Sequence, residues 1–83
     1  MYNVKIERTA ERSLGRITEP WQGKIQDALR KLAARPRPPG VVKLSGRDAW
    51  RIRVADYRII YEIHDNVLLV LVVDIGHRRE IYR

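Results

Sequence analysis

The chain contains no cysteine among its 83 residues. This absence excludes a disulfide framework, a thiolate metal site and a cysteine nucleophile. The chain also lacks a long apolar segment, because its longest run is Val67 to Val73 and a membrane-spanning helix needs about 20 apolar residues. The N-terminal residues carry no signal-peptide pattern. We therefore expect one cytoplasmic domain over residues 1–83, with no membrane contact.

Positive charge is in excess along this short chain. The sequence has 17 lysines and arginines against 10 acidic residues, which gives a formal net charge of +7. Such a balance favours a polyanionic partner, most simply nucleic acid. Disorder is not expected, because 45% of the residues are apolar and they occur in periodic order.

The first 35 residues predict a strand followed by two helices. Apolar and polar residues alternate over residues 2–7, which is typical of a half-buried strand. Thr9 is the expected N-cap of a short first helix. Pro20 lies in the first turn of a second helix, which ends near Arg35. The predicted apolar faces consist of Ala10, Leu14 and Ile17 in the first helix and of Trp21, Ile25, Ala28, Leu29, Leu32 and Ala33 in the second.

After the stiff connector Pro36–Gly40 the pattern favours β-structure. The predicted strands are residues 41–44, 50–54, 57–64 and 67–73, with a short strand or tail at 80–83. Residues 67–73 are apolar on both faces, so we place this strand centrally, covered on both sides and ended by Gly76. The expected fold is α+β, with an N-terminal strand and an α-hairpin of two helices packed on a mainly antiparallel, strongly twisted sheet of four to five strands.

Three arginines are expected to meet on one face of the predicted sheet. A symmetric hairpin that turns at Ala55-Asp56 places Arg53 opposite Arg58 and puts Arg51 on the same face. Like charges opposed across two strands are destabilising, and the nearest acid on this face is Glu62. Because guanidinium forks bind phosphate oxygens bidentately, this cluster predicts a preformed anion site. The alternative is a solvated face whose arginines pair with loop acids.

A second basic cluster, His77-Arg78-Arg79, follows Gly76. His77 and Tyr82 could carry protons, while Trp21 and Trp50 occupy positions that face the expected core. The sequence shows no catalytic triad, metal-ligand cluster or phosphate-binding glycine loop. We therefore expect neither a metal nor a cofactor.

Two segments of the chain resemble the RelE/ParE toxin superfamily of bacterial and archaeal toxin–antitoxin systems. They are Trp50-Arg-Ile-Arg-Val-Ala-Asp-Tyr-Arg-Ile-Ile-Tyr-Glu-Ile and Val-Asp-Ile-Gly-His-Arg-Arg-Glu-Ile-Tyr82. The likeness extends over the opening strand, the α-hairpin and Lys43–Gly46, and so over essentially the whole chain. It implies a RelE-like fold and a type II mRNA interferase toxin, an endoribonuclease that cleaves mRNA in the ribosomal A site without a metal. In that family the ribose 2′-hydroxyl attacks the adjacent phosphate.

The resemblance also implies roles for individual residues. Arg51 and Arg53 would hold the RNA backbone. Arg58, Arg78 and Tyr82 would be catalytic, with Arg58 at the transition-state phosphate and Tyr82 orienting the 2′-hydroxyl or taking its proton. Arginine is a poor proton donor near neutral pH, so His77 or Glu62 could share the acid–base role.

The implied partners are a cognate antitoxin, the ribosome and mRNA, with operator DNA contacted only through the antitoxin. Two alternatives stay open. The first is a ParE-like inhibitor of DNA gyrase, although gyrase-directed members generally lack the set Arg53, Arg58, Arg78 and Tyr82. The second is a catalytically inactive member that only binds an antitoxin.

Overall fold

The structure, a computed structural model, describes residues 1–77. Its strands are β1 (Asn3–Ile6), β2 (Val42–Lys43), β3 (Trp50–Val54), β4 (Tyr57–His64) and β5 (Leu69–His77), and its helices are α1 (Arg8–Gly15) and α2 (Trp21–Ala34). A single 3₁₀ turn, Asp65–Val67, joins β4 to β5. The expected α+β architecture is confirmed, since both helices pack on one mixed sheet of five strands. Neither of the helices found within residues 1–77 is long and apolar enough to cross a membrane.

The strands follow the order β1-β5-β4-β3-β2, with β1 parallel to β5 and all other pairs antiparallel. Strand β5 therefore has a neighbour on each side, as predicted. Helix α1 packs on β5, and α2 packs on β1 and β3. Val70 and Val72 face the helices and are fully buried, whereas Leu71 on the other face is only half-buried. The expectation that both faces of this strand are covered is therefore wrong for one face.

The apolar faces of the two helices form the core together with β3, β4 and β5. Ala10, Leu14 and Ile17 are buried from the first helical segment, and Ile25, Leu29 and Leu32 are buried from the second.

Two details of the helices differ from the prediction. Helix α1 begins at Arg8 with Glu7 as its N-cap, so Thr9 lies inside the helix. Trp21 is 37% exposed, because it begins α2, and the Nζ atom of Lys24 lies 5.1 Å from the centroid of its ring.

The proline connector is attached to the sheet by polar contacts. The buried Tyr61 hydroxyl donates a hydrogen bond of 2.7 Å to the Pro36 carbonyl oxygen, and burial raises the pKa of Tyr61 to about 12. Arg37 forms an ion pair with Asp65, with 2.9 Å between Nη2 and Oδ2, and its guanidinium carbon lies 5.1 Å from the centroid of the Trp50 ring. Hydrogen bonds from Arg37 hold the pKa of Asp65 below its ordinary value. The connector thus fixes β3 and β4 relative to each other from the helix side.

Strand β5 contains a β-bulge and is longer than predicted. Ile60 pairs with Asp74 while its neighbour Tyr61 pairs with Val72, so Val73 is the extra residue. The strand then continues to His77, and the prediction that it ends before Gly76 is wrong. Because a bulge shifts the alternation of side chains by one residue, Asp74 and Gly76 face away from the helices.

Candidate nucleic-acid interface

The hairpin of β3 and β4 has the predicted register. Ala55 and Asp56 form a two-residue turn, and Ala55 adopts the left-handed conformation with φ 53°. Arg53 lies directly opposite Arg58, and Arg51 lies opposite Ile60. Because facing residues share a side of the sheet, the prediction that all three arginines share one face is confirmed.

The three arginines differ strongly in exposure. Arg53 is exposed and Arg51 is half-buried. Arg58 is 2% exposed, and among residues 1–77 it is the one charged side chain in the buried class. Full burial is rare for arginine, because taking a guanidinium out of water costs several kcal/mol. The position of Arg58 therefore singles it out as a candidate functional residue.

Strand β5 contributes two residues beside Arg58. Gly76 pairs with Arg58 and is a position without a side chain. Asp74 lies diagonally from Arg58 on the same face, and side chains in such diagonal positions reach each other when one of them is long. Sequence reasoning missed Asp74. The signal that could have revealed it is Ile75, whose apolar side chain breaks the alternation of Val70 and Val72.

The two proposed acid–base residues within the described chain occupy different sides of the sheet. His77 pairs with Tyr57 and faces the helices, where the two rings meet edge to face with centroids 5.7 Å apart. Glu62 shares the arginine face and lies diagonally from Arg51, and its Oε1 atom lies 2.9 Å from Nε2 of His64. The structure thus places Glu62 near Arg51 but four residues along β4 from Arg58, and it places His77 on the opposite side of the sheet.

The remaining proposed catalytic residues, Arg78 and Tyr82, lie outside the described residues. The described part of the site, which we call the arginine face, consists of Arg51, Arg53, Arg58, Asp74 and Gly76. It places planar guanidinium groups on two adjacent strands about 4.8 Å apart, with Arg53 exposed, Arg51 half-buried and Arg58 buried. Such an arrangement can bind neighbouring phosphate groups of one backbone. Between residues 1 and 77 no group of three His, Cys, Asp or Glu side chains could hold a metal ion.

Residues 4–82 match the family model for the ParE toxin of the type II toxin–antitoxin system parDE. The chain belongs to the RelE/ParE toxin superfamily. It is a toxin of a type II toxin–antitoxin system of this superfamily. No curated protein matches its sequence.

Solved structures of RelE toxins share the fold of this superfamily member over nearly its whole length. The archaeal RelE–RelB complex from Pyrococcus horikoshii OT3 has a TM-score of 0.85 and 25% identity, and the match covers 95% of this chain and 97% of the other. The E. coli RelBE complex has a TM-score of 0.81 and 21% identity, with coverage of 93% and 96%. RelBE2 from Mycobacterium tuberculosis has a TM-score of 0.82 and 22% identity, with coverage of 93% and 98%.

Proposed function

We propose that this toxin is a ribosome-dependent endoribonuclease that cleaves mRNA in the A site and so inhibits translation. The observation that carries the proposal is the direct opposition of Arg53 and Arg58, with Arg58 buried in the sheet. Two like charges in this arrangement repel each other, and an anion bound between them would relieve that repulsion. A phosphodiester is the anion that guanidinium forks fit bidentately.

The proposed reaction needs little covalent chemistry from the protein. The ribose 2′-hydroxyl gives up its proton as its oxygen attacks the adjacent phosphorus, the bond to the 5′-oxygen breaks, and that oxygen takes up a proton. A 2′,3′-cyclic phosphate and a free 5′-hydroxyl remain. Arg58 stabilises the charge that develops on the phosphate oxygens, and Arg51 and Arg53 hold the backbone on either side. The substrate brings its own nucleophile and guanidinium groups carry the charge, so we propose a reaction without a metal or cofactor.

Proton transfer in this scheme is assigned from the resemblance and from position. Arg78 and Tyr82 complete the site, and Tyr82 orients the 2′-hydroxyl or takes its proton. Glu62 is the second candidate for the base because it shares the arginine face. His77 is the weaker candidate, because its side chain faces the helices and the sheet separates it from the arginine face.

The proposed partners follow the same reasoning. The solved relatives include toxins bound to their antitoxins, which supports a cognate antitoxin for this chain. A basic toxin with an arginine face would be neutralised by a partner that covers this face with acidic or apolar residues. The ribosome and mRNA are the cytoplasmic targets, and operator DNA would be contacted through the antitoxin.

The proposal is tested by inducing the toxin without its antitoxin and mapping mRNA ends by primer extension. Wild-type protein should produce new ends within codons and arrest translation. Arg58→Ala should reduce cleavage by about 10²–10³-fold, the loss typical of removing one preorganised transition-state donor. Arg47→Ala is the matched control, because this exposed arginine lies in the loop before β3. Absence of new ends with wild type, or equal cleavage by wild type and Arg58→Ala, would refute the assignment.

The description of the matching family as a ParE toxin favours one second candidate. In that case the toxin inhibits DNA gyrase and performs no nuclease chemistry. Induction would then trigger a DNA-damage response, leave mRNA intact and tolerate the loss of Arg58.

A further inference from the structure

Helix α1 carries exposed arginines along the side opposite to its buried residues. Arg8, Arg12 and Arg16 are all exposed, whereas Ala10 and Leu14 are buried. Arg16 is the C-cap residue and keeps the αR conformation, so the spacing of four residues holds throughout. Each step of this spacing turns by about 40° and advances about 6 Å along the axis. The three side chains, which we call the α1 stripe, therefore form one line of positive charge.

The arginines of the α1 stripe are not held by ion pairs. None of them forms an ion pair with another residue in the 1–77 range, although Glu7 and Glu11 lie nearby in the sequence. Like charges four residues apart on a helix repel each other. Arg8 lies at the positive N-terminal end of the helix dipole, whereas Arg12 and Arg16 lie at its negative C-terminal end, which favours them. Exposed cations in one line without native carboxylate partners point to an anionic ligand.

A cavity of about 340 Å³ opens where the α1 stripe ends. Ser13 and Arg16 line it from the α1 segment, and Tyr57 and His77 line it from the sheet. Its volume falls within the range of about 300–1,000 Å³ that small-ligand pockets occupy. The edge-to-face pair of Tyr57 and His77 provides aromatic surface, while Ser13 and Arg16 provide hydrogen-bond donors.

This cavity lies on the helix side of the sheet, and Gly76 borders both the cavity and the arginine face. Tyr57 and His77 face the helices, whereas the side chain of Arg58, the neighbour of Tyr57, faces the other side of the sheet. A basic track beside an aromatic surface is the combination that binds single-stranded nucleic acid without sequence preference. We propose that the α1 stripe and this cavity form a second single-stranded RNA site, with phosphates on Arg12 and Arg16 and one base against Tyr57. The inference rests on the proposed function for the choice of RNA as ligand, but it does not require cleavage.

The phosphate part is tested by binding of a fluorescent 2′-O-methyl RNA of about 12 nucleotides, a length within the range that such sites cover. This probe has no free 2′-hydroxyl and cannot be cleaved. The full chain with Arg12→Gln and Arg16→Gln should show a salt dependence of binding reduced by about 1.4 in slope, or about 0.7 for each lost phosphate contact. The matched control, Arg35→Gln with Arg47→Gln, removes the same charge elsewhere and should retain the wild-type slope.

The base part is tested with Tyr57→Val, which keeps a strand-forming residue in β4. Affinity for the RNA should fall by about tenfold, because stacking of one base on an aromatic ring is lost, while the salt slope stays unchanged. An abasic oligomer of the same length should bind wild type and Tyr57→Val equally. Thermal unfolding of each variant verifies that the fold is intact, and Tyr57→Leu replaces Tyr57→Val if the latter unfolds.

The outcomes separate this inference from the proposed nuclease. If the toxin cleaves no mRNA but the stripe variant, Arg12→Gln with Arg16→Gln, still shows the reduced salt dependence of RNA binding, the proposed function fails and the second site stands. If the stripe variant and its charge-matched control behave alike, the second site is refuted whatever the toxin cleaves. The contrary outcome is that an oligoglutamate competes with the fluorescent probe as effectively as RNA does, while Tyr57→Val leaves the affinity for the probe unchanged. That result would assign the stripe to an acidic protein partner and overturn the inference.

Discussion

Replacing Arg53 by glutamine should stabilise the protein and weaken its function at the same time. Arg53 lies directly opposite Arg58, and the Cβ atoms of such a pair are about 4.5–5.5 Å apart. Two unit charges about 6 Å apart repel each other by about 0.7 kcal/mol at the dielectric constant of water, and by more where one of them is buried, as Arg58 is. This value lies within the range of about 0.2–1 kcal/mol for cross-strand pairs. Removing one charge should therefore raise the free energy of unfolding by about 0.5–1 kcal/mol.

The assay is thermal and urea unfolding of wild type and Arg53→Gln at low and high salt. For a domain of this size, 1 kcal/mol corresponds to a change in Tm of about 4–8 °C, so we expect a gain of about 2–8 °C at low salt. At about 1 M salt the screening length falls to about 3 Å, so the gain should shrink, although less than for two exposed charges because Arg58 is buried. Arg47→Gln is the control, because it removes the same charge from an exposed loop that has no opposed cation in the β-ladder.

The functional half of the prediction has the opposite sign. Arg53→Gln removes one phosphate contact, so the salt slope of RNA binding should fall by about 0.7 and cleavage should slow. The reasoning would be refuted by a variant that is less stable than wild type. It would also be refuted by a gain that is equal at both salt concentrations and equal in Arg47→Gln, because the opposed arginines would then not repel each other.

The register of the arginine face could be predicted because a short turn leaves little freedom. A hairpin closed by two residues has one register, and Ala55-Asp56 lies between two apolar-alternating segments. From this single feature the positions of Arg51, Arg53 and Arg58 follow directly. The helices were predictable for a similar reason, since their apolar residues recur at the period of one helix face.

The bulge in β5 leaves only one signal in the sequence, the apolar Ile75, and it changes the site. Residues 70–73 are Val, Leu, Val and Val, so apolar side chains fill both faces and hide the shift in alternation. From this pattern the sequence predicts that the strand ends at Gly76, whereas it continues to His77. The consequence is that Asp74 was missed and that His77 was grouped with arginines from which the sheet separates it.

Burial at the ends of helices and strands is also hard to predict from the sequence, because it depends on how far the supporting sheet extends. Trp21 has the same helical phase as Ile25, yet it begins α2 and remains 37% exposed. Arg58 differs from its prediction in the opposite direction, because it is buried where exposure is expected. Alternation assigns this residue to the polar face, and only the packed structure reveals that the side chain is removed from water.

Two further predictions concern the contacts that hold the connector against the hairpin. Tyr61→Phe removes the hydrogen bond to the Pro36 carbonyl and should lower the free energy of unfolding by about 0.5–1.5 kcal/mol in urea titrations. The control is Tyr57→Phe, because the Tyr57 hydroxyl donates to no residue in the described part of the chain, and this variant should change the free energy of unfolding little. Equal losses in both variants would contradict the assignment. The second prediction is a pH dependence that comes from Asp65. Arg37 lowers the pKa of Asp65 in the folded state. The contribution of ionised Asp65 to the free energy of unfolding is therefore complete above the ordinary carboxyl pKa of about 3.9, and it is lost as the pH falls through the lower folded-state value. Asp65→Asn should therefore flatten the loss of stability below about pH 4 in unfolding midpoints measured against pH, and a variant with an unchanged acid profile would show that the ion pair does not hold the connector.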